Sequence, residues 1–211
     1  MSAPAGLCRI ERLTVQLAGA YIHGESAYSA AAVLPFNGRK YGLGAGFHLD
    51  GNSDCVRFRL AGAYVITGDP IGFMEGLFGP SITAGFSAGA DYYTEADSIR
   101  ENLDCGFQFS LFPSFALGMT LEDVTDDRIL RAGFSHVFNR YMTAHVNYGK
   151  SQWQGGAELH VSSVLSLTAG TDGELLNSGL SWTGGNWQVS YSASLSSDTV
   201  SHSMGILRRW E

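Results

Sequence analysis

Apolar residues alternate one by one with small or polar residues along nearly the whole chain. Tyr41, Leu43, Ala45, Phe47 and Leu49 alternate with Gly42, Gly44, Gly46, His48 and Asp50. Trp187, Val189, Tyr191, Ala193 and Leu195 alternate with Gln188, Ser190, Ser192, Ser194 and Ser196. Successive side chains of a β-strand point to opposite faces, so each stretch presents one apolar face and one small or polar face. Wound into a helix, the same stretch would mix both kinds all round. The pattern calls for an all-β chain.

Turn residues cut this alternation into about fourteen strands. They are expected at 13–23, 26–35, 40–50, 56–67, 81–94, 102–112, 115–123, 128–138, 141–149, 152–161, 164–172, 175–183, 186–196 and 200–210. Asn37-Gly38, Asp50-Gly51-Asn52, Asn139-Arg140, Asp172-Gly173 and Gly184-Gly185-Asn186 supply turn chemistry between them. Short turns between consecutive strands give an antiparallel meander, which must hide its edges or close.

The sidedness decides how. One face reads Val15, Leu17, Tyr21, Val56, Phe58, Leu60, Tyr64, Ile82, Phe86, Tyr92, Leu103, Phe107, Phe109, Leu111, Met142, Val146 and Tyr148. The other carries Gln16, Arg57, Arg59, Thr83, Asp91, Asp104, Gln108, Glu122, His145, Glu158 and His160. A soluble barrel would turn the apolar face inward, but diameter grows with strand number, and about fourteen strands enclose more volume than these side chains fill. The inverse arrangement puts the apolar face to lipid and the polar face to a lumen. Strands of about ten residues, an even count and aromatic residues near strand ends agree with it. The expected fold is a transmembrane antiparallel up-and-down β-barrel over residues 13–210, after an N-terminal lead-in of residues 1–12. Tyr21, Tyr41, Tyr64, Tyr92, Trp153, Trp182, Trp187 and Trp210 are candidate girdle residues. A soluble β-sandwich or solenoid is the competing reading.

Composition narrows the classes further. Disorder is excluded by 45% hydrophobic residues with only 16% charged. A net charge of −7 argues against nucleic acid as a partner. No apolar run reaches the roughly 18 residues of a membrane-spanning helix. Cys8, Cys55 and Cys105 lie far apart without a CxxC pair, so no zinc or thioredoxin motif is suggested. Met1-Ser2-Ala3-Pro4 has neither the basic start nor the apolar segment of a secretory signal. Either the protein stays in the cytoplasm or the chain lacks its natural start.

The opening Pro4-Ala5-Gly6-Leu7 resembles the "NPAGL" start of the FadL-type (long-chain fatty acid transporter) outer-membrane superfamily. The nearest likeness within it is to PorV-type outer-membrane proteins of type IX secretion and their uncharacterised relatives. Arg131-Ala132-Gly133-Phe134, Thr143-Ala144-His145-Val146, Gly156-Ala157-Glu158-Leu159, Leu167-Thr168-Ala169-Gly170 and Trp187-Gln188-Val189-Ser190-Tyr191 carry it through the last third. The resemblance implies a barrel of fourteen strands in the bacterial outer membrane, in agreement with the count made from the alternation. Two departures stand out. The chain starts at the motif, with Ala3 in place of Asn, so the N-terminal plug of FadL transporters is not expected; and Glu211 follows the aromatic Trp210 that would ordinarily end such a barrel.

Enzymatic motifs do not survive their context. Gly85-Phe86-Ser87-Ala88-Gly89 matches the G-x-S-x-G nucleophile elbow, which needs a sharp strand-to-helix turn, yet it lies inside an unbroken alternation. His23, His48, His136, His145, His160 and His202 form no HExxH or close ligand pair. Gly42-x-Gly44-x-Gly46 has the wrong spacing for a nucleotide loop, and no helix follows it. No catalytic residue, metal or cofactor is expected.

An even strand count puts both termini on the periplasmic side, and the loops near 24, 51–55, 95–101, 124–127, 150, 173 and 197–199 outside. Cys55 should then be open to labelling at the cell surface and Cys8 protected. Arg57 and Arg59 fall at the top of a descending strand, Asp91 near the top of the next, and Asp104 at the same level on a third. They form an expected lumen charge cluster at the outer mouth, with Glu122, His145, Glu158 and His160 as further lumen-facing polar residues. Asp69 to Pro80 is long for a periplasmic turn. Pro70 can open a short helix there, with Phe73, Met74, Leu77 and Phe78 as one apolar stripe suited to closing the barrel mouth.

Three functions follow. The first is an outer-membrane channel, transporter or secretion-accessory barrel of unknown substrate. Its partners would be the lipid bilayer, secretion-system components or a hydrophobic small molecule. The second is a non-transporting surface or structural outer-membrane protein. The third, a soluble β protein, rests only on the missing signal.

Overall fold

The structure is a computed structural model and describes residues 7, 10–22, 25–37, 40–51, 55–68, 80–112, 114–126, 128–196 and 199–210. The strands are β1 (Thr14–Ile22), β2 (Glu25–Phe36), β3 (Tyr41–Asp50), β4 (Cys55–Thr67), β5 (Ser81–Tyr93), β6 (Ser98–Phe112), β7 (Phe115–Glu122), β8 (Ile129–Asn139), β9 (Met142–Gly149), β10 (Gln152–His160), β11 (Leu165–Thr171), β12 (Leu176–Gly184), β13 (Trp187–Leu195) and β14 (Val200–Arg209). Each pairs antiparallel with the next, and β14 returns to β1 from Thr14↔Arg209 to Tyr21↔His202. This is a closed up-and-down barrel of fourteen strands, with no free sheet edge among the described residues.

Closure fixes which face is which. On the outside of a cylinder side chains splay apart; on the inside they converge and cover one another. Leu17 is 56% exposed, Phe86 60% and Met204 60%, whereas Ser81, Thr83 and Ser87 on the alternate positions of β5 are 1%, 2% and 4% exposed. The apolar set is therefore outward and the small and polar set inward, the reverse of a soluble protein. Among the described strand residues the outward face carries only two charged side chains, Glu101 and Arg208, toward opposite ends of the barrel. The polar rings that do face outward are partnered. His202 Nδ1 lies 2.7 Å from the Tyr191 hydroxyl, and His136 packs edge-on to Phe138 at 4.6 Å. Tyr21, Tyr41, Tyr64, Tyr92, Trp153, Trp182 and Trp187 are all exposed on the outward face. Tyr41 packs tilted against Tyr64, and Tyr148 against Trp153.

Strand ends lie within about two residues of those expected, with β6 the exception. It begins at Ser98, not near 102. The hairpin to β5 is therefore tighter, and Asp91 faces Arg100 across the ladder while Asp104 faces Ser87.

The inner wall is covered unevenly. Leu7, from the lead-in, packs on Val33, Ala61, Ala63 and Val65, with Ile10 beside it. All four wall residues point inward from β2 and β4, so this part of the lead-in lies against the lumen wall at the end that holds both termini. A Cβ on inward-facing Gly42 would come within 2.9 Å of Leu7, so the bare backbone at Gly42 lets Leu7 approach the wall closely. At the same end Gly68, with φ +76°, turns the chain out of β4; a Cβ there would lie 2.5 Å from the Pro80 carbonyl. The excursion between them, residues 69–79, falls outside the described residues, and with it the expected helix and the stripe Phe73, Met74, Leu77 and Phe78.

Candidate functional site: the lumen wall

Register brings four titratable side chains into one inward row, His48↔Arg57↔Asp91↔Arg100, across β3 to β6. Arg59, one inward position below Arg57, reaches back to Asp91 at 2.6 Å. It does so by lying across its ladder partner Gly89, where a Cβ would sit 2.4 Å from Arg59 Cδ. Arg57 shares the inward face of β4 with Cys55 and faces Asp91 across the ladder. Arg59 and Asp91 thus pair directly, and Arg57 stands next to them in the inward row.

Asp104 does not join them. The shifted start of β6 drops it from the Asp91 row to the Ser87 row. There it accepts hydrogen bonds from the Ser87 hydroxyl at 2.8 Å and the Asp123 backbone N–H at 2.9 Å. The place expected for Asp104 is taken by Arg100, which pairs with Asp123 at 2.6 Å and Asp126 at 3.0 Å. Cys55 is also displaced from its expected role: it is 1% exposed, on the inward face of β4, and is no surface-labelling site. Cys8 lies outside the described residues.

Around the wall, Arg131 pairs with Glu122 at 2.8 Å. His160 Nδ1 lies 3.7 Å from Glu158, both about two-fifths exposed to the lumen. His145 leans over Gly156, where a Cβ would be 2.9 Å from its ring. Asn147 leans over Gly133 in the same way. Large polar side chains therefore lie along the wall over glycines. They leave a cavity of about 620 Å³ lined by Gln108, Glu122, Arg131, His145, Asn147 and Gln154. A second, of about 480 Å³, is lined by Gln16, Ser29, His48, Arg57 and Arg59. Arg131, Asn147 and Gln154 extend the polar face singled out from sequence, and their phase in the alternation was the available signal.

Ser87 sits on continuous strand β5 and donates to Asp104, so the G-x-S-x-G match is a strand segment without an elbow. Among the described residues no three His, Cys, Asp or Glu side chains converge as a metal site.

The Arg59–Asp91 pair gives a stability test. Asp91 is only 10% exposed, so replacing Arg59 leaves a carboxylate largely out of water. Arg59→Met should destabilise the barrel by about 1–3 kcal/mol, less than for a fully buried pair because Arg59 is 25% exposed. Urea unfolding of the detergent-bound barrel measures it, and adding Asp91→Asn should recover part of the loss.

No protein-family model matches the chain, and no curated protein matches it by sequence. Solved structures do match. The outer membrane protein Omp33 of Acinetobacter baumannii aligns with a TM-score of 0.73 at 10% identity, over 95% of this chain and 98% of that one. The toluene transporter TbuX of Ralstonia pickettii aligns at 0.70 and 12% identity, over 100% and 93%. The CymD monoaromatic hydrocarbon channel aligns at 0.68 and 11% identity, over 100% and 92%. At such low identity the likeness establishes a shared architecture: this chain has the closed-barrel fold of these proteins.

Proposed function

We propose that the chain is a bacterial outer-membrane β-barrel channel of FadL-like build. The observation that carries this is the inverted sidedness. A cylinder whose outer wall shows two charges among its described strand residues, while its inner wall carries ion pairs and amides, is stable with lipid outside and water inside. The end with both termini is then periplasmic. The likeness to Omp33, TbuX and CymD supports the same reading. The PorV-type resemblance and a secretion partner rest on short sequence phrases alone.

The cavity lined by Gln108, Asn147, Gln154 and the Glu122–Arg131 pair favours small hydrophilic solutes as cargo. A hydrophobic small molecule is the second reading, favoured by the apolar inner patch of Val33, Ala61, Ala63, Val65 and Leu7. Purified protein in planar bilayers should conduct ions, and liposomes carrying it should swell in small sugars. A folded, heat-modifiable barrel that does neither would be a non-transporting surface or structural protein.

A further inference from the structure

Arg208 is the one cation on the outward face among the described strand residues, and it stands where the apolar stripe of Met204 and Ile206 ends. Its guanidinium lies 4.9 Å from the ring centroid of Trp187, its ladder partner, and 4.8 Å from that of Trp210. Both indoles lie within cation–π reach of the guanidinium, and an indole ring uses none of its N–H groups as a hydrogen-bond acceptor would. Among the described residues no carboxylate or other acceptor meets it. At the same end of the barrel Arg140 lies 4.6 Å from the centroid of the Tyr141 ring and donates to the Tyr141 hydroxyl. An exposed guanidinium held at the margin of an apolar belt is placed to take an anion in the plane of that margin. Phosphate suits it, because the planar donor fork matches phosphate oxygens two at a time. The described charges at this end are Arg12, Lys40, Arg140, Arg208 and Arg209 against Glu11 and Glu158, which also favours an anionic partner.

We infer that Arg208, Trp187 and Trp210 form a seat for the phosphate of a phospholipid in the leaflet on the side of the termini. The seat rests on the membrane-barrel reading. It would fix the rotation and depth of the barrel at the β13–β14 edge. Native mass spectrometry of the full chain, released from detergent micelles containing dioleoylphosphatidylglycerol, tests it. Wild type should retain the phospholipid, and Arg208→Gln should retain about tenfold less, equivalent to roughly 1.4 kcal/mol. Dioleoylglycerol, with the same chains and no phosphate, should distinguish neither protein. Arg209→Gln should behave as wild type, because Arg209 points inward and bonds Gln188. Equal retention by wild type and a folded, heat-modifiable Arg208→Gln overturns the seat alone, as does an equal loss in Arg209→Gln. A barrel that stays soluble without detergent overturns the membrane reading and the seat with it.

Discussion

A bulky thiol reagent should cut conductance by roughly half when it modifies Ser135→Cys, and leave it unchanged at Thr83→Cys, since only lining positions obstruct a pore. Both residues point inward, so the alternation alone treats them alike. The wall around them does not. Thr83 is 2% exposed, and its neighbours along the inner face of β5, Ser81 and Ser87, are 1% and 4% exposed. Across β4, Ala61, Ala63 and Val65 lie at 6–7%, under Leu7. Ser135, on β8, borders the cavity of about 620 Å³. The route expected through the barrel therefore runs off-centre, along β7 to β10 past the larger cavity, with the wall around Ala61, Ala63, Val65 and Thr83 covered and the smaller cavity beside Arg57 and Arg59 to one side. Mass measurement of the labelled protein provides the check: Ser135→Cys takes up reagent in the folded barrel and Thr83→Cys does not. Equal block at both positions would mean a lumen open all round and would sink the off-centre route.

That asymmetry marks the boundary of what was legible in the chain. The strands and their sidedness could be read because a period of two needs only local information, and Asn-Gly or Asp-Gly pairs mark the hairpins. The start of β6 could not. Ser98, Ile99, Arg100 and Glu101 lie beyond the apolar belt, where water meets both faces and a strand has no reason to be two-sided. That shift of β6 moved Asp104 off the Asp91 row and put Arg100 on it. Arg57, Arg59 and Asp91 were legible together because β4 and β5 kept their expected ends. The contact of Leu7 with the inner wall carried no periodic signal, since a single leucine before the first strand has no phase. The glycines under Arg59, Asn147 and His145 were visible only as abundant glycine. Which polar chain each one seats depends on register between strands, a nonlocal property.

Gly89→Ala should be among the most damaging single-methyl changes in the lumen wall, at about 1–3 kcal/mol, the ordinary cost of overpacking a site that cannot yield. A Cβ at position 89 would stand 2.1 Å from the Phe58 carbonyl oxygen and 2.4 Å from Arg59 Cδ. The first neighbour is backbone of β4, held in the ladder on both sides, so relief requires moving a strand. The second is the arm that carries the Arg59 guanidinium to Asp91, so relief there breaks the ion pair. Gly118→Ala is the matched control: it also faces the lumen, and the nearest atom to its new Cβ is 4.0 Å away. That change should be neutral or stabilise by about 0.4–1 kcal/mol, since alanine restricts the unfolded chain. Urea midpoints of the two variants in the same detergent give the comparison, with heat-modifiable migration confirming that each barrel has closed. Arg59→Ala combined with Gly89→Ala should cost less than the sum of the two single changes, because they share one contact. The recovery should be partial, since the Phe58 oxygen stays in place. Indistinguishable midpoints for Gly89→Ala and Gly118→Ala would show that the wall can flex at β4, and that Arg59 does not depend on a bare glycine to reach Asp91.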